Sequence, residues 1–348
     1  MVGIPGEIYF IRETDYHTGE LTPFTKIGIV RDHRERTSEQ RLTEHQTGNP
    51  RPLVLYRVVH SPMVEWIETQ LHHRNSAHRV EGEWFNFDEN QLSAAILMAT
   101  DLAAQAKEAL EMLNAAELLG RQFSDGTTIQ PKDETRRTFM TYWLNKSVSL
   151  RVEKFQSKLK SALAVAHSLG EAGSVLGAVR EHEGSWSFDQ KLFRARYPEI
   201  VAVYTHLESQ QKSRFQINKL DDQSKVDALI PDETWALLEH AESVLSDGIG
   251  RATAQARIGQ LQLELRAVKA DADWVCELAA AEIKVECGSA ERIDGVCLWK
   301  RVEQKVNITD WVGITNDYAE LCRDAYTFKS GRKSVHLAQA QAPAPRTD

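Results

Sequence analysis

Four cysteines are all that 348 residues provide, and all four, Cys276, Cys287, Cys297 and Cys322, fall in the last quarter. Their spacings form neither a CxxC redox pair nor paired zinc knuckles, so buried reduced thiols are expected. No apolar run approaches the roughly 18 residues of a spanning helix, and no membrane partner is expected. The opening MVGIPGEIYF lacks a basic segment followed by a long apolar one. A secretory signal is therefore not expected, and cytoplasmic residence is the default. Seven of the twelve histidines lie in the first ninety residues, yet no HxxxH pair occurs, so no zinc helix is read there. Net positive charge is also missing. A formal charge of −8 argues against a surface coated in cations for indiscriminate nucleic-acid binding.

What is present fits a soluble α+β protein of two or three domains, with 42% hydrophobic and 26% charged residues. Residues 7–12 and 24–30 read as strands, joined through the turn residues Asp15, Gly19 and Pro23. Residues 34–46 read as a helix stopped by Gly48 and Pro50, and residues 53–59 as a third strand. Ser61 and Pro62 then suggest the N-cap and first position of a helix reaching Arg74. Between Arg31 and Arg57 there are six arginines, no lysine and four acids. Arginine's planar fork suits phosphate, although a solvated helix face carries the same composition.

Glu7-Ile8-Tyr9 and Lys26-Ile27-Gly28 lie on the first two strands. They are followed by Arg41-Leu42 leading into QTGNP, by Glu68 and Leu71-His72, and by Gly82-Glu83-Trp84-Phe85. In that order these six elements resemble the GIY-YIG endonuclease superfamily, in its KIG-type, phage-related branch, over residues 7–90. The resemblance implies a three-stranded antiparallel sheet with flanking helices and DNA hydrolysis at one divalent metal, Mg²⁺ or Mn²⁺. It implies that Glu68 holds the metal, Arg41 the scissile phosphate, and that Tyr9 orients or deprotonates the attacking water. Lys26 is placed to lower the Tyr9 pKa from its usual value of about 10. His72, one helical turn after Glu68, is a candidate site residue. Arg34, Arg36 and His45 are candidate nucleic-acid contacts, and Arg36 competes with Arg41 for the arginine position. Asn86 is a weaker candidate for a polar site residue, and Glu83 is expected to be a structural partner. Glu7 replaces the family's first glycine, so the first strand could begin differently or set a carboxylate at the site's edge.

The remainder reads as a mostly helical region with two small α/β units that look duplicated. Gly170 and Gly288, Gly177 and Gly295, and Arg214 and Arg332 align at one offset of 118 positions. The expected division is 1–90 for the nuclease-like domain, 91–132 for a connecting helix and loop, and 133–220 and 221–335 for the two units. Residues 336–348 are expected to form a disordered tail. The second unit resembles the accessory C-terminal segment of phage-type recombination exonucleases. Glu282 and Lys284 in AEIKVE match a nuclease ExK spacing, but the stretch reads as helix and that role is rejected. The expected activity is a metal-dependent DNA endonuclease in phage defence or phage DNA processing. Its C-terminal region would select substrate or form a homo-oligomer. The alternative is a non-catalytic nucleic-acid-binding or assembly protein that keeps the fold.

Overall fold

The computed structural model describes residues 3–32, 36–169, 176–222, 224–246 and 252–337, apart from the side chains of 252–254. The chain begins β1 (Gly6–Thr14), β2 (Leu21–Arg31), α1 (Ser38–Gly48), β3 (Leu53–Ser61) and α2 (Val64–Arg74). It continues β4 (Arg79–Glu81), β5 (Trp84–Asn86) and α3 (Glu89–Gly120). The strands form one antiparallel sheet of order β3-β1-β2-β5-β4. The three expected strands are the long ones. GEWF adds β5 against β2, and Gly82, with φ of 55°, makes the tight turn from β4.

Helices cover both faces of this sheet, which explains why Ile8, Tyr9, Phe10 and Ile11 are all buried although strand residues alternate. Ile8, Phe10, Ile27 and Ile29 pack against Val64, Ile67 and Leu71 of α2 and Leu92, Ala95, Ala99 and Leu102 of α3. The first half of α3 therefore does more than connect: its small residues let it lie close on the sheet. Tyr9, Ile11 and Val30 face the other way, toward Leu42 of α1 and Leu53. The second helix starts at Val64, two residues later than its sequence suggests. Ser61 remains in β3 opposite Gly6, and its hydroxyl accepts the Met63 N–H at 3.1 Å.

The rest of the chain runs β6 (Thr128–Ile129), α4 (Asp133–Ser168), β7 (Gly177–His182), β8 (Ser185–Phe188), α5 (Gln190–Arg196), α6 (Pro198–Val203) and β9 (Thr205–Ile217). It ends α7 (Ser224–Asp227), α8 (Asp232–Ser246), α9 (Ala252–Cys287), β10 (Arg292–Ile293), β11 (Cys297–Thr309), α10 (Trp311–Asp317), α11 (Ala319–Arg323), β12 (Tyr326–Lys329) and β13 (Arg332–Leu337). His336 and Leu337 belong to β13 rather than to a tail, and AEIKVE is helical within α9.

Two units are visible here, each a 36-residue helix followed by strands and a pair of short helices. They exchange strands: β9 pairs with β11, while β7 and β8 pair with β13 and β12. Arg214 faces Lys300 and His182 faces Arg332, so the 118-residue step carries one pair onto the other. An approximate two-fold relation between the units requires that register. Gly170, one of the glycine anchors, lies outside the described residues. All four cysteines are free and buried. The buried Arg301 donates to the carbonyls of Leu119, Gly288 and Ala290, placing a cation at the C-terminal ends of α3 and α9.

The helix α9 ties the halves together. Its Trp274 enters the core of the N-terminal sheet, 4.9 Å from the Trp66 ring centroid, and Gln70 of α2 donates to Asp271. Among the described residues, no helix is long and apolar enough to cross a membrane.

Candidate functional site

The site begins with a steric match between the two tripeptides. Tyr9 lies opposite Gly28 in the β1–β2 ladder, and a Cβ at Gly28 would overlap the Tyr9 ring and hydroxyl. Only glycine leaves room for the ring across β2. Lys26, two residues earlier on that strand, shares this face. Its ammonium donates to Glu83 at 2.6 Å, from the residue just after the Gly82 turn.

Helix α1 brings Arg41 and His45 over the same face. Thr37 and Gln40 form a reciprocal capping box at its start. Glu7 accepts from the Ser38 N–H at 3.0 Å and from its hydroxyl at 2.5 Å. Glu7 thus holds a helix N-terminus, where a carboxylate is favoured, and β1 begins at Gly6. At the other end, Gln46 of QTGNP donates to the carbonyls of Asn49 and Arg51 and accepts the Leu53 N–H. That run fixes the exit of α1 onto β3.

The Tyr9 hydroxyl is 3.1 Å from His45 Nε2. Burial, followed by the charges of Lys26 and Arg41, keeps the His45 pKa below normal, so the ring is neutral and can accept the phenolic proton. Tyr9 itself is raised. Burial is the largest cause and outweighs the opposing hydrogen bond and charge of Arg41. The sequence expectation that Lys26 lowers this pKa is therefore corrected: Lys26 is neutralised by Glu83, and Arg41 is the cation beside the phenol. Arg41 also pairs with Glu44. Arg36 instead sits half-exposed, 3.7 Å from Glu44, and Arg34 lies outside the described residues.

Glu68 and His72 occupy one face of α2. Burial and the charge of Glu83 push the Glu68 pKa up to about 7. His72 Nε2 is 3.0 Å from the Ile27 carbonyl, which can only accept, so this nitrogen carries the proton. Burial lowers the His72 pKa to about 4, against the support of that bond. The ring is a neutral link between α2 and β2 and is poorly matched to carrying protons near neutrality. Burial works to raise the Glu83 carboxyl, but the Lys26 bond and charge win and hold it below normal. Asn86 is exposed on β5 opposite Phe24.

The structure thus gathers Tyr9, Lys26, Arg41, His45, Glu68 and Glu83 and sets Arg36 and Asn86 aside. A cleft of about 250 Å³ opens at Glu68, His72, Arg79 and Glu83. Its far wall is α9, through Gln260, Glu264 and Arg266. Sequence reasoning expected Glu83 to be a structural partner, and its ion pair with Lys26 makes it one. It missed α9, about two hundred positions away in the chain, for which no local signal existed.

Among the described residues no group of three or more His, Cys, Asp or Glu is gathered closely enough to cage a metal. One carboxylate suits a cation that keeps most of its waters, as Mg²⁺ does. Glu68, raised mainly by burial and next by the charge of Glu83, could supply that single carboxylate.

Comparison with curated proteins and with solved structures gave no match. Residues 6–99 match the family model described as the T5orf172 domain, a phage-related domain often associated with nucleases.

Proposed function

We propose that the N-terminal domain is a GIY-YIG-type endonuclease that hydrolyses DNA phosphodiester bonds. The observation that carries this reading is the gathering of Tyr9, Arg41 and His45, from β1 and α1, within electrostatic reach of Glu68 on α2, which opens onto the cleft. Tyr9 holds its proton on the phenol oxygen and donates it to His45 Nε2. His45 can draw that proton as Tyr9 accepts one from the attacking water, a shift that leaves no buried phenolate standing. Arg41 supplies fixed positive charge for the phosphate oxygens, where charge grows in the transition state. Its exchange of Glu44 for the phosphate would accompany binding. Lys26 and Glu83 hold each other in place at the edge of the site. A divalent Mg²⁺ or Mn²⁺ on Glu68 would supply Lewis-acid stabilisation of the leaving oxygen.

The test is incubation of supercoiled plasmid with the full chain in Mg²⁺ or Mn²⁺, beside Glu68→Ala and Tyr9→Phe. Nicked or linear product is expected from the wild type, with at least about a hundred-fold slower cutting by either variant. Equal cutting by Glu68→Ala, or none by the wild type on plasmid and single-stranded DNA alike, would overturn the reading. In the second case the retained fold would serve binding alone. A role in phage defence or phage DNA processing rests on the phage-related character of the matched domain.

A further inference from the structure

The sheet face that carries Tyr9 and Lys26 continues past them. Strand alternation sets Ile11 and Glu13 of β1, and Phe24 of β2, in line with those two residues. Two residues along a strand cover about 7 Å, so Phe24 lies within reach of a nucleotide flanking the proposed scissile phosphate. A pocket of about 360 Å³ opens there, lined by Glu13, Phe24, Asn49, Arg51, Glu81 and Trp84. Its walls are the end of β1, the start of β2, the turn leaving α1, and the β4–β5 hairpin. It shares no lining residue with the cleft at Glu68.

Trp84 supplies the aromatic wall. It sits opposite Lys26 in the β2–β5 ladder, with the ammonium 6.0 Å from the indole centroid. The ring packs against the Tyr9 and Ile11 cluster, yet it is only half-buried, because the pocket lies beside it. An accessible aromatic face of this kind stacks with any base. Glu13 supplies the polar end. Its side chain is 14% exposed, and it accepts from Asn49 at 2.8 Å and from Arg51 at 3.3 Å. Each of its oxygens takes one of those bonds and keeps a second lone pair. Glu81 is exposed and makes no ion pair among the described residues. Two carboxylates against one guanidinium leave the lining rich in acceptors. Such a lining repels a phosphate and suits the exocyclic amine of a base.

We propose that this pocket takes one nucleobase of the substrate beside the scissile phosphate, with Trp84 stacked on its ring and Glu13 accepting from its amine. The QTGNP run then has a second task, since its Asn49 helps to hold the Glu13 carboxylate. A base enters such a pocket only when unstacked, so single-stranded or locally opened DNA is the substrate form that fits. This inference rests on the nuclease reading for the location of the scissile phosphate, but its test does not depend on cleavage.

The test is fluorescence anisotropy of labelled oligomers of about twelve nucleotides with the full chain, without divalent metal. One oligomer is all deoxycytidine, one all thymidine, and one an abasic backbone of equal length and charge. The wild type should bind the cytosine oligomer at least about ten-fold more tightly than the abasic one, through stacking. It should prefer cytosine to thymine by at least about five-fold, because thymine offers Glu13 no amine. Glu13→Gln should bring the two pyrimidines within about two-fold of each other. Trp84→Leu should weaken both toward the abasic oligomer, whose own binding should change by less than about two-fold. A general loss of structure would instead weaken all three, and Tm values check for it. The wild-type comparison decides even where a variant fails to fold: equal binding of the three oligomers, or binding of none, overturns the pocket. A cytosine preference that survives in a folded Glu13→Gln overturns it as well. Wild-type chain that discriminates as expected but cuts nothing would sink the nuclease reading and leave the pocket standing. Cutting with base-independent binding would do the reverse.

Discussion

The two faces of the β1–β2 ladder have opposite occupations. On one, Ile8, Phe10, Ile27 and Ile29 meet the apolar sides of α2 and α3. On the other, Tyr9, Lys26 and Gly28 meet α1 and its Arg41 and His45. Strand alternation alone separates them, so stability and proposed chemistry are interleaved one residue apart. Each tripeptide therefore carries both: Ile8 and Ile27 are core, and their neighbours are site. A rigid apolar layer beneath the site holds Tyr9 and Gly28 in register, as a preorganised site requires.

The sharpest way to break this contrast is a pair of adjacent substitutions. Phe10 is fully buried, so Phe10→Ala should cost about 3–5 kcal/mol in urea unfolding. Tyr9→Phe keeps the ring and loses the hydroxyl's bonds to His45 and Arg41, about 1–3 kcal/mol together, while removing the hydroxyl that the proposed reaction uses. Comparable stability losses in the two variants would show that both faces are simply core.

The pH dependence of stability should separate Glu68 from His72, because their shifts have opposite signs. The folded Glu68 pKa is raised to about 7, so its contribution is complete below the ordinary carboxylate value and lost as pH rises through about 7. Glu68→Gln should thus stabilise the metal-free chain at pH 8 by up to about 3 kcal/mol, less whatever solvent screens at the cleft. The folded His72 pKa is lowered to about 4, so its contribution is present above the ordinary histidine value and lost as pH falls through about 4. His72→Gln should narrow the gap in stability between pH 7 and pH 4. Urea midpoints at pH 4, 5, 7 and 8 would check both. Added Mg²⁺ should abolish the Glu68→Gln advantage, and an advantage that persists would argue against metal at Glu68.

Gly28→Ala tests the steric match between the faces' motifs. A methyl group there would collide with Tyr9, so the ring must move away from His45. A loss of about 1–3 kcal/mol is expected, together with slower cutting, and Tm and plasmid cleavage would measure the two. Wild-type cutting in this variant would mean that the Tyr9–His45 contact is dispensable.

These contrasts also show what the sequence made legible. The three long strands and helix α3 follow from local periodicity. Glu83 was expected to be a structural partner and is one, but its cation was not legible, since Lys26 lies 57 positions away. The direction of the Tyr9 shift was misread for a related reason. Charge is visible in a sequence, whereas burial between a sheet and a helix is not. The far wall of the cleft was invisible, since only tertiary packing through Trp66 and Trp274 brings α9 there.

The smallest expected effect concerns the arginine register. Arg36 and Arg41 both approach Glu44, yet only Arg41 also reaches Tyr9. Arg36→Ala should change stability by no more than about 0.5 kcal/mol, the scale of an exposed ion pair. It also frees Glu44 to hold Arg41 alone, so DNA binding should weaken only slightly and cutting should persist. Arg41→Ala removes the cation beside the phenol and should abolish cutting while raising the Tyr9 pKa further. A spectroscopic titration of the tyrosines in the two variants separates these outcomes: only Arg41→Ala should move the Tyr9 phenol, which the titration of Tyr9→Phe identifies. If Arg36→Ala moves it instead, the guanidinium facing Tyr9 belongs to the other arginine, and α1 is shifted in register over the sheet.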